Sequence, residues 1–300
     1  MKIYTHPPSE NWIVDRYVKE WYQYNPKLST HNIDESDILW MIDDWSWTDL
    51  GKYSDKFVVN TVHHIVPEKF NAEAFEKRDR CVNHYHAVSL KTAEVLSQYT
   101  DKPITPITFW VNDRLWSETV DDVSTLRRRY ELPLKKVLVG SFQRDTEGHD
   151  LISPKLEKGP DIFCDYMEVM KSHIGENLEV VLAGWRRQYV INRLEAAGIK
   201  YHYFEFCDFD VLNDLYNCID LYVVGSRIEG GPQSIPECAI TRTPIISTDV
   251  GLASEILSPK SVNDNLNEAM PDVDYAYRKV DQYRMENHFP KFINFFEELL

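Results

Sequence analysis

The sequence predicts an α/β protein made of two doubly wound, Rossmann-like domains in series. Three observations predict it. Short apolar runs alternate with segments of helical spacing along most of the chain. Several of those runs, such as Leu178–Ala183 (LEVVLA), are apolar at nearly every position, as strands buried on both faces are. The chain has 300 residues, 43% of them hydrophobic and 27% charged, which suits two soluble domains with separate cores.

The second half reads most clearly. Lys135–Val139 (KKVLV) is a strand ending at Gly140. Asp161–Ser172 is a helix, with Ile162, Phe163, Tyr166, Val169 and Met170 on its apolar side. Leu178–Ala183 is a strand, Arg187–Ala197 a helix closed by Gly198, and Tyr201–Phe206 a strand. Val211–Asn217 is a short helix begun by Asp210. Strand Asp220–Val224, helix Ile235–Thr241, strand Pro244–Ser247 and helix Leu252–Leu257 complete the alternation. In the first half, strands are expected at Lys2–Thr5, Ile38–Ile42, Phe57–Thr61, Val82–Val88 and Ile104–Phe109. Helices are expected near Trp12–Tyr24 and Ser89–Gln98. The charged stretch Glu131–Lys136, interrupted by Pro133, marks a boundary. It gives domains 1–132 and 133–270, and a helical segment 271–300 that would return to the first domain. Two such sheets in series would leave a ligand cleft at their carboxyl ends.

A formal net charge of -15 opposes binding to nucleic acid or to anionic lipid. Arg127, Arg128 and Arg129, followed by Lys135 and Lys136, read as a solvated helix end and linker before a basic patch. The five cysteines (Cys81, Cys164, Cys207, Cys218 and Cys238) form no C-x-x-C pair, so reduced thiols in a cytoplasmic protein are expected. No N-terminal apolar run suggests a signal peptide or membrane span.

The segment most suited to chemistry is Ser226–Ile240 (SRIEGGPQSIPECAI), between a strand and a helix. Gly230 and Gly231 allow close backbone approach and positive φ, and the helix start beyond them presents N–H groups to an anion. Glu229 and Glu237, with seven residues between them, would face one ligand. This E-x7-E pattern resembles the donor-site motif of family 4 glycosyltransferases, retaining enzymes of the GT-B fold. The resemblance implies that Glu229 lies by the donor sugar and Glu237 on the nucleotide ribose. Gly230, Gly231, Pro232, Gln233 and Ser234 would form the donor loop. Ser234-x-x-Glu237 is equally a capping box, which would give Glu237 a local role.

The same resemblance assigns Arg144, after KKVLV, and Lys158, before Gly159, to the donor diphosphate, with Lys155 an alternative to Lys158. Fixed cations there would stabilise a departing nucleoside diphosphate without a metal. In the first domain, Asn60–Pro67 (NTVHHIVP) ends a strand in two histidines. The resemblance puts His63 beside sugar and acceptor, with His64 the alternative. Pro7–Asn11 (PPSEN) stands where relatives carry a glycine-rich acceptor loop, and it has no glycine.

Weaker signals are Asp208-Phe-Asp210, a D-x-D read here as a helix cap, and His84-Tyr85-His86, a histidine pair without a third ligand nearby. Trp12, Trp21, Tyr22, Tyr24, Trp40, Trp45 and Trp47 crowd the first domain; most belong in a core, and Trp45 and Trp47 are candidate acceptor contacts. No G-x-G-x-x-G or G-K-[ST] phosphate loop is present. The resemblance therefore implies a retaining, metal-independent, hexosyltransferase-type enzyme. It would have no cofactor, a nucleotide-sugar co-substrate and a carbohydrate or other glycan-type acceptor. Rival readings are a nucleotide-sugar epimerase or hydrolase on the same scaffold, and a non-catalytic nucleotide-sugar binding module.

Overall fold

A computed structural model describes the chain except for Asn11, Trp12, Asp44, Ser46, Thr48, Asp49, Ser54 and His149. Two compact units emerge: unit 1, Met1–Phe109 with Phe289–Leu300, and unit 2, Trp110–His288. Residues 110–132, placed above in the first domain, therefore pack with the second sheet. Arg127 shows why. Although it follows a polar stretch, it is buried, donating to Cys218 O at 2.8 Å and pairing with Asp220 at 2.9 Å. Arg129 pairs with Asp214 at 3.0 Å. Arg127 thus departs from the expected solvated end, whereas Arg128 and Arg129 are exposed there as expected; Arg127 and Arg129 tie the segment to unit 2.

Unit 1 contains β1 (Ile3–Tyr4), α1 (Ile13–Tyr24), β2 (Ile38–Met41), β3 (Phe57–Val62), α2 (Ala72–Asp79), β4 (His84–Ala87), α3 (Leu90–Leu96) and β5 (Ile104–Pro106). The five strands are parallel and lie in chain order, β1-β2-β3-β4-β5. Helix α2 has no expected counterpart in the sequence reading; its mean hydropathy is low, and only Phe75 is buried. Asn71 caps it by accepting from Ala74 N at 3.0 Å.

The rings of unit 1 turn mostly inward. Trp21 and Trp40 meet edge to face at 5.3 Å, and Phe296 packs on both. His86 is fully buried with Nε2 2.6 Å from Ile107 O, so Nε2 donates. Its Nδ1 then accepts from Thr61 Oγ1, which itself accepts from Trp40 Nε1 at 2.9 Å. His84 Nε2 lies 2.8 Å from Thr105 Oγ1. Both histidines of the pair serve the sheet. Trp12 lies outside the described residues.

Unit 2 contains α4 (Val123–Arg129), β6 (Val137–Ser141), α5 (Pro160–Ile174), β7 (Leu178–Ala183), α6 (Gln188–Ala196), β8 (Lys200–Phe204), α7 (Phe209–Cys218), β9 (Leu221–Val224), α8 (Ser234–Thr241), β10 (Ile245–Ser247), α9 (Ala253–Ile256) and α10 (Val273–Val280). The final helix, α11 (Met285–Glu297), begins in unit 2 and continues into unit 1. The parallel order β10-β9-β6-β7-β8 reverses at β6 and β9, which creates a switch point between their carboxyl ends. Every residue of β7 is buried, including Glu179, whose Oε2 lies 2.8 Å from His202 Nε2.

Asp208 caps α7, accepting from Val211 N at 3.0 Å. The cap therefore falls on Asp208, two residues before the expected Asp210. The helix already includes Phe209, which leaves Asp210 in the first turn. All five cysteines are free, and among the described residues no helix is long and apolar enough to cross a membrane.

Candidate functional site

The carboxyl edge of the unit 2 sheet is drawn together by glycine. Gly159, at φ +58°, lies so close to the Gly225 carbonyl that a Cβ would overlap it. Gly251, at φ +49°, meets the carbonyls of Glu229 and Gly230 in the same way. Backbone requirements therefore tighten the loops after β6, β9 and β10. Among the described residues the glycines of positive φ are Gly159, Gly175, Gly184, Gly198 and Gly251. The expected positive φ at Gly230 and Gly231 is not adopted; the left-handed positions are in the loops packed around them.

Polar bonds then fix the register of those loops. Arg227 N and Ile228 N donate to Glu157 O at 2.8 and 3.1 Å. The Arg227 guanidinium grips Asp161 at 2.6 and 2.7 Å, a two-bond fork at the start of α5. Gln143 Nε2 donates to Lys158 O at 2.9 Å. This lacing brings Lys158 Nζ directly against the Glu229 carboxylate, while Ser226 Oγ donates to Glu229 Oε2 at 3.1 Å. Lys155 pairs instead with Glu157 at 3.3 Å.

Arg144 is half-buried and close enough to Lys158 for its charge to act there. It makes no ion pair among the described residues. Burial, reinforced by Lys155 and Arg144 and opposed by Glu157, lowers the Lys158 ammonium to about 7. Two cations thus sit at the switch point, and the Lys158 charge responds to any anion beside it.

Around α8 the expected capping box does not form. Gln233 is the N-cap residue, without a side-chain cap bond, and Ser234 is already helical. Pro232 O accepts from Ile235 N at 3.0 Å, and Gln233 Nε2 donates to Gly231 O at 3.3 Å. Glu237 is buried, with Oε2 accepting from Tyr216 Oη at 3.0 Å. Burial, and then the charge of Glu237, push Tyr216 well above its ordinary value, so it remains a donor.

His63 belongs to unit 1. Its Nε2 lies 2.8 Å from the Ile42 carbonyl, so Nε2 carries hydrogen and Nδ1 bears the lone pair of the neutral ring. The ring stacks on Phe109 at 5.8 Å and lies 6.1 Å from Trp45, which is exposed; His64 is exposed beside it. Trp47 differs from Trp45: it packs edge-on to His6 at 4.5 Å and joins Tyr4 and Tyr53. Among the described residues no group of three or more His, Cys, Asp or Glu side chains is arranged to hold a metal ion.

Sequence reasoning missed Asp145 and Arg187. Arg187 is fully buried; it donates to Asp145 Oδ2 at 3.0 Å and to the Ser141 and Ala183 carbonyls at 2.5 and 3.0 Å. Burial raises the Asp145 carboxyl, against the lowering effect of Arg187. The only signal in the sequence was an arginine pair directly after a strand and Gly-Trp.

Known proteins agree with this architecture. Residues 151–274 match the family model described as group 1 glycosyl transferases. The fold is GT-B. Anabaena Alr3699/HepE, solved with UDP and glucose, superposes with a TM-score of 0.72 at 14% identity, over 88% of this chain and 78% of that one. Sucrose-phosphate synthase from Thermosynechococcus elongatus gives 0.72 at 13% identity, over 95% and 77%. A glycosyltransferase from Rickettsia africae gives 0.66 at 15% identity, over 97% and 82%. At such identities the likeness is one of fold. No curated protein sequence matches the chain.

Proposed function

We propose that this chain is a retaining glycosyltransferase of family 4 type, moving a sugar from a nucleotide-diphosphate sugar to a glycan-type acceptor without a metal. The observation that carries this reading is the cluster at the switch point of unit 2. Lys158 lies against Glu229, with Arg144 alongside, in the segment that matches group 1 glycosyl transferases. The UDP and UDP-glucose bound in the HepE structures are consistent with a nucleotide-sugar donor here.

In this reading Arg144 and Lys158 hold the diphosphate and take up the charge that grows as it departs. The start of α8, with Gly230, Gly231, Pro232, Gln233 and Ser234, borders the same group. An arriving diphosphate competes with Glu229 for Lys158, which frees the carboxylate to accept from sugar hydroxyls. Glu237 accepts from ribose hydroxyls. The acceptor attacks on the face the diphosphate leaves, and a diphosphate oxygen takes its proton. We assign acceptor recognition to unit 1, with His63 as the polar group and Trp45 as the exposed ring. The setting proposed is the cytoplasm.

The test combines binding with turnover. UDP, GDP, ADP and dTDP are screened by melting, and the best base is then supplied as its sugar conjugates with a panel of acceptors and EDTA. A nucleoside diphosphate at about 100 times its dissociation constant should add roughly 2.7 kcal/mol of stability. Transfer with retained anomeric configuration is expected. Donor consumption that ignores the acceptor would point to a hydrolase, and no melting shift with any base would remove the donor site.

A further inference from the structure

Glu237 is held by more than the helix it belongs to. It stands in the first turn of α8, and Tyr216 in the last turn of α7 donates to its Oε2 at 3.0 Å. Both residues are buried. The Tyr216 ring belongs to the core of unit 2, where Phe142 at 4.9 Å, Tyr222 at 5.5 Å and Trp116 at 5.8 Å crowd it. The phenol therefore meets the carboxylate from the core side in a fixed orientation. Tyr222 Oη also accepts from Phe142 N at 3.0 Å, two residues before Arg144, so the same group of rings borders the cationic loop.

The two residues are joined a second time through their backbones. Thr243 Oγ1 donates to Tyr216 O at 2.9 Å and lies 2.7 Å from Thr241 Oγ1, which is 2.8 Å from Glu237 O. Both threonines are buried. Side chain meets side chain at one end and carbonyl is linked to carbonyl at the other, so the bonds close into a ring that locks α7 to α8. Packing alone does not call for this. A buried carboxylate is costly even when hydrogen-bonded, and apolar residues of similar size would join two helices without that cost.

We propose that Tyr216 is a positioning residue for ribose recognition: by donating to Oε2 it fixes the plane of the Glu237 carboxylate for the neighbouring hydroxyls of a ribose. The proposal rests on the donor reading of Glu237 and adds what aims that carboxylate and which sugar it selects. A carboxylate turns easily about its last side-chain bond, whereas a hydroxyl must be met within a narrow angle. A donor on one oxygen, delivered by a ring that cannot move, removes that freedom before the nucleotide arrives. A site aimed in this way favours nucleotides with an intact ribose, because an analogue without the hydroxyls leaves a buried charge short of donors.

Calorimetric titration of the full chain with UDP, GDP and ADP, each beside its dideoxyribose analogue, tests this on wild type, Tyr216→Phe and Glu237→Gln. Wild type should prefer the best-bound nucleotide over its analogue by at least about tenfold. Tyr216→Phe keeps the ring and its contacts. It should weaken the nucleotide roughly 3- to 10-fold and leave the analogue unchanged, so the preference for ribose shrinks by the same factor. Glu237→Gln should remove most of the preference, and adding Tyr216→Phe to it should cost nothing further. Thr243→Val, which loosens Tyr216 without touching its ring, should shrink the preference by a smaller factor, and this variant carries the test if Tyr216→Phe does not fold. Equal losses for nucleotide and analogue overturn the proposal, because Tyr216 would then serve the fold. An unchanged preference in Tyr216→Phe overturns it too. A wild-type chain that binds nucleotides without preferring ribose overturns the ribose role of Glu237 as well, and one that binds none of the three overturns the donor reading itself.

Discussion

The two sheets use their side chains differently. In unit 1 the large rings face inward: Trp21, Trp40, Phe292 and Phe296 form one packed group, and even His86 is spent on bonds to Thr61 and Ile107. The edge beyond β3 keeps a modest polar set, His63 with the exposed Trp45. In unit 2 the edge beyond β6 and β9 is closed by Gly159, Gly225 and Gly251 and filled with charge from Arg144, Lys158 and Glu229. A parallel sheet supports either arrangement, because the strands fix where loops emerge and the loops supply the chemistry. In the proposed function charge stabilisation falls to unit 2 and positioning to unit 1, and each role can be broken separately.

The largest effect is expected at Lys158. Lys158→Ala removes a cation fixed at the switch point and leaves Glu229 with Ser226 but without its cationic partner. Loss of one preorganised charge stabiliser commonly costs about 10²- to 10³-fold in turnover. Steady-state kinetics on the donor found by the melting screen measures it. A loss below about tenfold would shift the main cationic role to Arg144.

Glu237→Gln comes next. Replacing a charged acceptor on ribose hydroxyls costs about 1.5–3 kcal/mol, a ten- to hundredfold weaker binding of free nucleotide as well as intact donor. Calorimetry and melting curves are read together. If Glu237 serves only to hold Tyr216 within the core, the variant melts earlier and binds nucleotide normally. That result would sever the strongest link to the family pattern.

His63→Ala tests unit 1. One hydrogen bond to sugar or acceptor is worth about 1–1.5 kcal/mol, so turnover should fall on the order of tenfold. Nucleotide affinity should stay as it was. Parallel losses in affinity and turnover would place His63 against the nucleotide instead and erase the division of labour between the units.

The strands of unit 2 were legible because most are short, largely apolar runs between helical segments. Leu178–Ala183 has the same bounds in sequence and structure. The proposed donor loop, Ser226–Ile240, stands out in the sequence through residue type and spacing. What was not legible depends on contacts distant in sequence. Arg127 looked solvated because its partners Cys218 and Asp220 lie about 90 residues away. Arg187 was marked only by following a strand and Gly-Trp, and its partner Asp145 lies 42 residues away. Gly230 and Gly231 drew the expectation of positive φ, yet the tight approach is made by Gly159 and Gly251, whose need is set by the loops opposite them. Helix α2, with only Phe75 buried, lacked the apolar stripe that reveals a helix.

The smallest effect separates a cap from a metal ligand. Asp208 and Asp210 have the D-x-D form, and in the structure Asp208 accepts from Val211 N while Asp210 occupies the first turn of α7. A cap of this kind contributes about 1 kcal/mol. In a unit of this size that corresponds to a melting shift of roughly 2–4 °C. Asp208→Ala should therefore melt slightly earlier, and Asp208→Asn, which keeps a capping oxygen, should melt close to wild type. Transfer by both variants should match wild type and be indifferent to EDTA, because neither carboxylate takes part in the proposed diphosphate site. If Asp208→Asn keeps its stability but loses transfer, and manganese raises the activity of the wild type, the pair is a metal site. Charge stabilisation would then no longer rest on Arg144 and Lys158 alone.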